Sequence, residues 1–307
     1  MAIYKGNKKV VAVYKGSTPV NKIYKGVTLV FQKSGGGGST HLIEGTATGN
    51  FNMKINNNQT IPITPDADGK WFYDTDEKIT SLDYFLYIQD KVTSVDLSNL
   101  DLTGISTNIM FSASSNITSI KFNNTKSMKL VAIDKMFQSC SSLTSLDLSS
   151  FDTSNVKNAS SLFSGCGRLV SLDLSNWNTS SLTAAMSLFA DCKSLTSLDV
   201  SNWNTSSLTA ADLLFKGCSS LTSINLSSFN TRKLTYANSL FEGCTSLETL
   251  DLSNFNMSRT TQYRNMFKNC TSLSTIKCKQ AFKDWCNSKK TAIGLTNYET
   301  INWEIVN

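Results

Sequence analysis

The chain of 307 residues is poor in the side chains that most often do chemistry. It has one histidine, His41, which lies beside a glycine run. That excludes a His-pair metal site and argues against His-dependent acid/base work. Its three prolines all precede residue 66, and its first cysteine is Cys140. No long apolar run occurs, so no membrane-spanning helix is expected. A hydrophobic content of 40% against 17% charged residues excludes a disordered tail. Acidic residues are missing from positions 1–33, which hold seven lysines, Lys5, Lys8, Lys9, Lys15, Lys22, Lys25 and Lys33. The formal charge of +6 therefore belongs to that segment, because the other 274 residues carry 22 bases against 23 acids.

Residues 1–33 repeat a ten-residue unit, Ile3-Tyr4-Lys5-Gly6, Val13-Tyr14-Lys15-Gly16 and Ile23-Tyr24-Lys25-Gly26. Alternation ending at glycine predicts short strands joined by tight turns. Three such strands cannot bury a core alone, so a docking segment is expected rather than an independent domain. A solvated basic arm is one alternative. Nucleic-acid binding is another, disfavoured by the strand spacing of the tyrosines and the lack of arginine. Ser34 to Thr40, with four consecutive glycines, reads as a flexible linker over 34–40. The runs Phe51 to Ile55 and Thr60 to Ile63, then Asp66-Ala67-Asp68-Gly69 ahead of Lys70 to Tyr73, predict a small β cap over 41–88. The opening Met1 to Gly6 has none of the parts of a secretory signal, so export by a standard N-terminal signal is not expected.

The body of the chain repeats. Cysteines fall at 140, 166, 192, 218, 244 and 270, a spacing of 26 held five times. A fixed period of this size signals a solenoid. With each cysteine as position 0, position −3 is Phe, +3 is Leu, +6 and +8 are mostly Leu or Ile, and +11 is Phe or Trp. Two degenerate units precede these, with Ser114 and Gln89 in the cysteine place, giving about eight turns over 89–278. Positions −7, −4, −3 and 0, for example Ala159, Leu162, Phe163 and Cys166, have helical spacing and predict a short helix per unit. Glycine, Asp191 or Asn269 at −1 suits the left-handed residue that ends a helix. Leu-x-x-Leu-x-Leu then predicts a strand. The expected fold is an α/β solenoid with a parallel sheet on one face and short helices on the other. An amphipathic stretch around Ala281 to Cys286 and a strand from Thr300 to Val306 predict a helix-strand cap over 279–307.

These residues resemble the leucine-rich repeats of the BspA-like class, in the pattern Phe-x-x-Cys-x-Ser-Leu-Thr-Ser-Leu-Asp-Leu-Ser-x-Phe-x-Thr, which residues 137–153 follow closely. The resemblance spans roughly 89–278. It implies a surface or secreted protein involved in adhesion, although here the signal peptide is missing. The Tyr-Lys-Gly units of 1–33 resemble short N-terminal segments of virion proteins from tailed phages of gut bacteria, including crAss-like phages. That resemblance implies assembly in a host cytoplasm and a place on the virion. It assigns docking to Tyr4, Lys5, Gly6, Tyr14, Lys15, Gly16, Tyr24, Lys25 and Gly26.

Position +7, flanked by core leucines, must face outward. It holds Asp96, Asp147, Asp173, Asp199, Asn225 and Asp251, with Lys121 and Lys277 also in the row. Stacked carboxylates are either solvated and bonded to nearby hydroxyls or bridged by a ligand. The row is the candidate binding site, for a sugar or cation, and its alternative is a solvated polar face. Carboxylate-pair catalysis is not expected, because every site in the row repeats its neighbours. The repeat cysteines lack short zinc spacing and read as buried, free thiols. No cofactor, metal or enzyme activity is expected. The expected partners are other virion proteins, capsid or tail, through 1–33, and a bacterial or mucosal glycan or protein on the rod. Nucleic acid and membrane insertion are not expected, and a homo-oligomer is compatible with the sequence. A bacterial cell-surface adhesin of the BspA-like class is the competing reading.

Overall fold

The computed structural model describes residues 42–56, 59–75, 78–123 and 127–306. The docking residues Tyr4 to Gly26 and the glycine linker lie outside this range. The described chain is a β-solenoid of about eight coils at 26-residue spacing, with parallel pairing between coils.

Among its described residues the repeat over 89–278 contains no helix, contrary to the one short helix per unit that the spacing predicts. In each coil the segment before the cysteine place is a run of tight turns, and the turns follow from two left-handed residues, at −5 and −1. These are Tyr84 and Ile88, Ile109 and Ala113, Lys135 and Ser139, Ser161 and Gly165, Ser187 and Asp191, Leu213 and Gly217, Ser239 and Gly243, and Asn265 and Asn269. Eight such pairs count the coils independently of the cysteines.

The N–H groups then alternate in direction. Leu162, Ser164 and Cys166 donate back three residues within the coil, at 3.3, 3.2 and 3.0 Å. Ser161, Phe163 and Gly165 donate forward to Met186, Leu188 and Ala190 of the next coil, at 2.8, 3.0 and 2.7 Å. A helix would have kept every donor inside its own coil. Ser, Asn, Asp and Gly at the two left-handed places favour this alternation, because they tolerate positive φ and form helices poorly. The apolar spacing has the same result in either geometry: Ala159, Leu162, Phe163 and Cys166 are all buried.

The strands are short. At the N-terminal end β1 (Ile43–Ala47) lies antiparallel between β4 (Lys70–Tyr73) and β5 (Val92–Asp96), and β5 pairs in parallel with β6 (Ser119–Lys121). The hairpin of β2 (Phe51–Ile55) and β3 (Gln59–Ile63) covers the turn face of the first coil, where Lys54 and Asn56 donate to the carbonyls of Phe85 and Ser81, both at 2.9 Å. A small parallel pair, β7 (Met128–Lys129) and β8 (Phe151–Asp152), follows. The later coils contribute β9 (Ser223–Asn225), β10 (Thr249–Asp251) and β11 (Thr275–Lys279). After α1 (Gln280–Lys289), β12 (Asn302–Val306) adds in parallel to β11. In the middle coils the Leu-x-x-Leu-x-Leu segments carry single cross-coil bonds at +4, such as Val170 to Thr144 at 3.3 Å, rather than a ladder. The continuous row of bridges there lies at position −8, through Asn158, Ala184, Ala210, Tyr236 and Gln262.

The core consists of stacked columns. Phe111, Phe137, Phe163, Phe189, Phe215, Phe241 and Phe267 form one stack, with centroids 5.6–5.8 Å apart and rings within 10° of parallel. Each buried ring contributes roughly 2–3 kcal/mol of apolar transfer. The +11 aromatics Phe151, Trp177, Trp203, Phe229 and Phe255 are buried as a second column.

Candidate functional site

The row at +7 is set by the alternation of the Leu-x-Leu segment that contains it, which ends strands such as β5 and β10 and is extended without a ladder in the middle coils. Core residues at +6 and +8, such as Leu172 and Leu174, are buried, so the residue between them projects outward. Asp147, Asp173, Asp199 and Asn225 are exposed, while Asp96 and Asp251 are half-buried. Neighbouring coils place these groups in parallel register: Asp96 beside Lys121, and Asn225, Asp251 and Lys277 in line.

Every acceptor in the row has the same local partner. Oδ1 takes the backbone N–H of the residue two places on: Ser98, Ser149, Ser175, Ser201, Ser227 and Ser253, at 2.9–3.0 Å. At the ends a lysine adds a charge: Lys121 lies 3.3 Å from Asp96 and Lys277 lies 3.0 Å from Asp251. The Ser175 hydroxyl and then its N–H hold the Asp173 carboxyl below the usual range, and Ser201 does the same for Asp199, against a smaller push upward from Asp173. At Asp96 and Asp251 burial pushes upward, and the bonds from Ser98 and Lys121, and from Ser253 and Lys277, outweigh it. Every shifted carboxyl of the row is thus stabilised as the anion. With Oδ1 committed to the backbone, Oδ2 of Asp173 and of Asp199 makes no hydrogen bond among the described residues. These two oxygens repeat at one coil spacing, about 5 Å.

A second row was not singled out by sequence reasoning. Asp152, Asn178, Asn204, Asn230 and Asn256, at +12, accept from the N–H two residues on at 2.9–3.2 Å. Between the rows, the amide groups of Asn176, Asn202 and Asn254 reach back to the carbonyls of Ser149, Ser175 and Ser227. Behind +12 the Thr153, Thr179, Thr205 and Thr231 side chains are buried. The signal was present as the recurring Asn-Thr pair after Phe or Trp. The result is a strip of Asp, Asn and Ser side chains running along the coil axis.

The cysteines play no part in this surface. All eight are free and buried, and the six repeat thiols donate to the Phe carbonyl one coil back, as Cys166 does to Phe137 at 3.1 Å. Burial pushes Cys166, Cys218 and Cys270 up to about 12, which leaves them protonated and inert. Among the described residues no group of three or more His, Cys, Asp or Glu is arranged to hold a metal ion.

Residues 103–222 and 186–296 match the family described as Mycoplasma protein of unknown function, DUF285. The two matches overlap by more than one coil and together span more than half of the chain. No curated protein matches it. The family match and the solenoid fit a BspA-like repeat protein.

Proposed function

The chain belongs to the DUF285 family, and from that premise we propose that it is a non-enzymatic phage virion structural protein, a head or tail fibre or decoration. Residues 1–33 dock it to the capsid or tail, the glycine linker gives it reach, and the repeat rod presents its polar strip to a bacterial or mucosal glycan or protein. The observation that carries the binding reading is the +7 row. In three successive coils, at Asp147, Asp173 and Asp199, it offers one chemical group with Oδ1 held by the backbone, and Oδ2 of Asp173 and Asp199 makes no hydrogen bond among the described residues. Hydroxyl-rich ligands suit such acceptors, and many rods on one particle would turn weak single contacts into avidity. Catalysis is not favoured, because a glycosidase needs one carboxyl held protonated and the shifted acids of this row all move the other way.

The virion reading is supported by the Tyr-Lys-Gly units, which resemble phage structural segments. Purified particles should contain the protein, and proteolysis at Gly35 to Gly38 should release the rod while residues 1–33 stay with the particle. Recovery of 1–33 together with the released rod removes the docking claim. A protein found in the cell envelope and absent from particles identifies a bacterial adhesin instead. For the strip, a glycan array probed with the full chain and with Asp173→Ala plus Asp199→Ala should show a signal that the variant loses.

A further inference from the structure

Charge is sorted along the solenoid. Residues 42–258 hold 14 bases against 20 acids, whereas residues 259–290 hold eight bases against one acid, Asp284, a net +7. The eight are Arg259, Arg264, Lys268, Lys277, Lys279, Lys283, Lys289 and Lys290. They belong to the last coil, β11 and α1, so the positive charge collects at the C-terminal end of a rod whose body is negative. Part of it is neutralised locally, since Asp251, Glu299 and Glu242 lie 3.0, 2.8 and 3.7 Å from Lys277, Lys290 and Lys268, and Glu304 of β12 stands in register with Lys277. The first turn of α1 contains no acid, and no side chain caps its N-terminus. That leaves the positive end of the helix beside Lys279 and Lys283.

This end also gathers aromatic rings that the core does not fully cover. Tyr263, Trp285, Tyr298 and Trp303 are half-buried and in contact as pairs: Tyr263 with Trp285 at 5.3 Å and Tyr298 with Trp303 at 5.1 Å. Lysines lie over three of them: Lys283 over Trp303 at 5.8 Å, Lys289 over Tyr263 at 5.9 Å and Lys290 over Tyr298 at 5.4 Å. Ring contacts hold the ammonium groups in place without neutralising them.

We propose that the two lysine-and-ring clusters flanking α1, Lys283 and Lys290 with Trp303 and Tyr298 on one side and Lys289 with Tyr263 and Trp285 on the other, form a second binding surface on the C-terminal cap, specific for an anionic polysaccharide. Such a polymer needs no open ring face: its carboxylates or sulfates, set at regular intervals, take the ammonium groups that the rings hold in place. Single-stranded nucleic acid is the lesser fit, because base stacking needs open ring faces and three of these rings already hold a lysine. Attraction to the cap is screened beyond about 8–10 Å, so a polyanion is held only at this end, and the negative body of the rod repels it on close approach. Of the eight bases only Lys277 belongs to the +7 row, where Asp251 pairs it; Lys283, Lys289 and Lys290 lie outside that row, and the proposal does not depend on where the protein is displayed.

The test is binding of the full chain to immobilised polygalacturonate, with neutral dextran as control. The intact chain should bind the charged polymer, more weakly as salt rises, and should ignore dextran. Lys283→Glu combined with Lys289→Glu should weaken binding at least about tenfold, since two charges of the patch reverse. An equal reversal on the coils, Lys157→Glu with Lys193→Glu, should change it by less than about twofold at physiological salt. Lys5→Gln, Lys15→Gln and Lys25→Gln together should leave it in place, which separates the cap from the basic N-terminal segment. The milder Lys283→Gln with Lys289→Gln, checked for an unchanged melting temperature, guards against misfolding. Binding that survives both cap variants overturns the proposal, as does single-stranded poly-dT that binds as tightly and displaces the polysaccharide.

Discussion

The Thr179 hydroxyl donates to the carbonyl of Asn204 at 3.2 Å and accepts the N–H of the same residue at 2.8 Å, closing both backbone groups of the coil that follows. Thr205 does the same for Asn230, at 3.3 and 2.7 Å, and Thr231 for Asn256, at 3.0 and 2.6 Å. The threonines are buried, so neither backbone group has water as an easy substitute. Thr205→Val keeps the shape and removes the hydroxyl. It should cost about 2–4 kcal/mol in urea unfolding, the sum for two orphaned backbone groups, while Thr205→Ser should cost less. A valine variant within about 0.5 kcal/mol of the parent would show that the ladder contributes little.

The left-handed places of the turn face make a prediction of opposite sign at two positions of one coil. Leu213 sits at φ +61°, where four of the other coils have Ser or Asn. A side chain that tolerates this conformation should relieve the coil, so Leu213→Asn is expected to gain about 0.5–1 kcal/mol. Gly217, four residues on, is at φ +70°, and a Cβ there would meet the Asp191 Oδ1 at 2.5 Å. Gly217→Ala should lose about 1–3 kcal/mol through φ strain and this contact. The two melting-temperature shifts, measured side by side, should differ in sign, and shifts of equal sign would refute the account.

The same places explain what the sequence made legible. The 26-residue period, the coil count near eight and the inward columns of Phe, Cys and Leu can all be read from spacing, because each coil must bury the same side chains against its neighbours. Glycine, Asp191 and Asn269 at −1 correctly signalled left-handed backbone. The matching signal at −5, Ser161, Ser187, Ser239 and Asn265, went unused. An apolar spacing of i, i+3, i+4, i+7 cannot distinguish a helix from successive turns that curl one face inward. Two left-handed residues per segment decide it, and with them the direction of every second N–H. The outward projection of Asp173 and Asp199 was likewise legible from the leucines beside them. The +12 row was not, because its Asn-Thr pair takes its role from hydrogen bonds to a residue 25 positions away.

Asp173 and Asp199 of the +7 row should both titrate below the ordinary range. The folded-state values of Asp173 and Asp199 lie below the ordinary 3.8, because the bonds from Ser175 and Ser201 favour the anion. A carboxyl depressed by folding adds stability at pH values above its unfolded value. That stability is lost as pH falls through the depressed folded value. Asn225 shows that an amide serves the same turn, accepting from Ser227 at 3.0 Å. Asp173→Asn with Asp199→Asn should therefore leave the fold intact at neutral pH and flatten the acid limb of stability below about pH 4. Carboxyl carbon chemical shifts followed against pH provide the direct measurement, and midpoints at or above 3.8 would contradict the hydrogen-bond account.

Trp177 and Trp203 occupy the +11 column as parallel rings 6.3 Å apart, and the Nε1 of each is buried without a hydrogen-bond partner among the described residues. Two costs compete when Trp203 becomes Phe. The smaller ring leaves unfilled volume, which destabilises by about 24 cal/mol per Å³ if the coil does not close around it. Removing an unpaired buried donor returns about 1–3 kcal/mol. Phe229, the next member of the column, stacks on Trp203 at 6.2 Å, so a phenyl ring already fits the position one coil on. The terms nearly cancel, and Trp203→Phe should shift stability by less than about 1 kcal/mol. Phe215→Ala, in the neighbouring Phe stack, removes a ring with no polar atom to offset the loss and should cost about 3–5 kcal/mol. Urea unfolding of the two variants separates the effects. A Trp203→Phe loss as large as that of Phe215→Ala would overturn the expected cancellation, because the unfilled volume would then far outweigh the release of the unpaired donor.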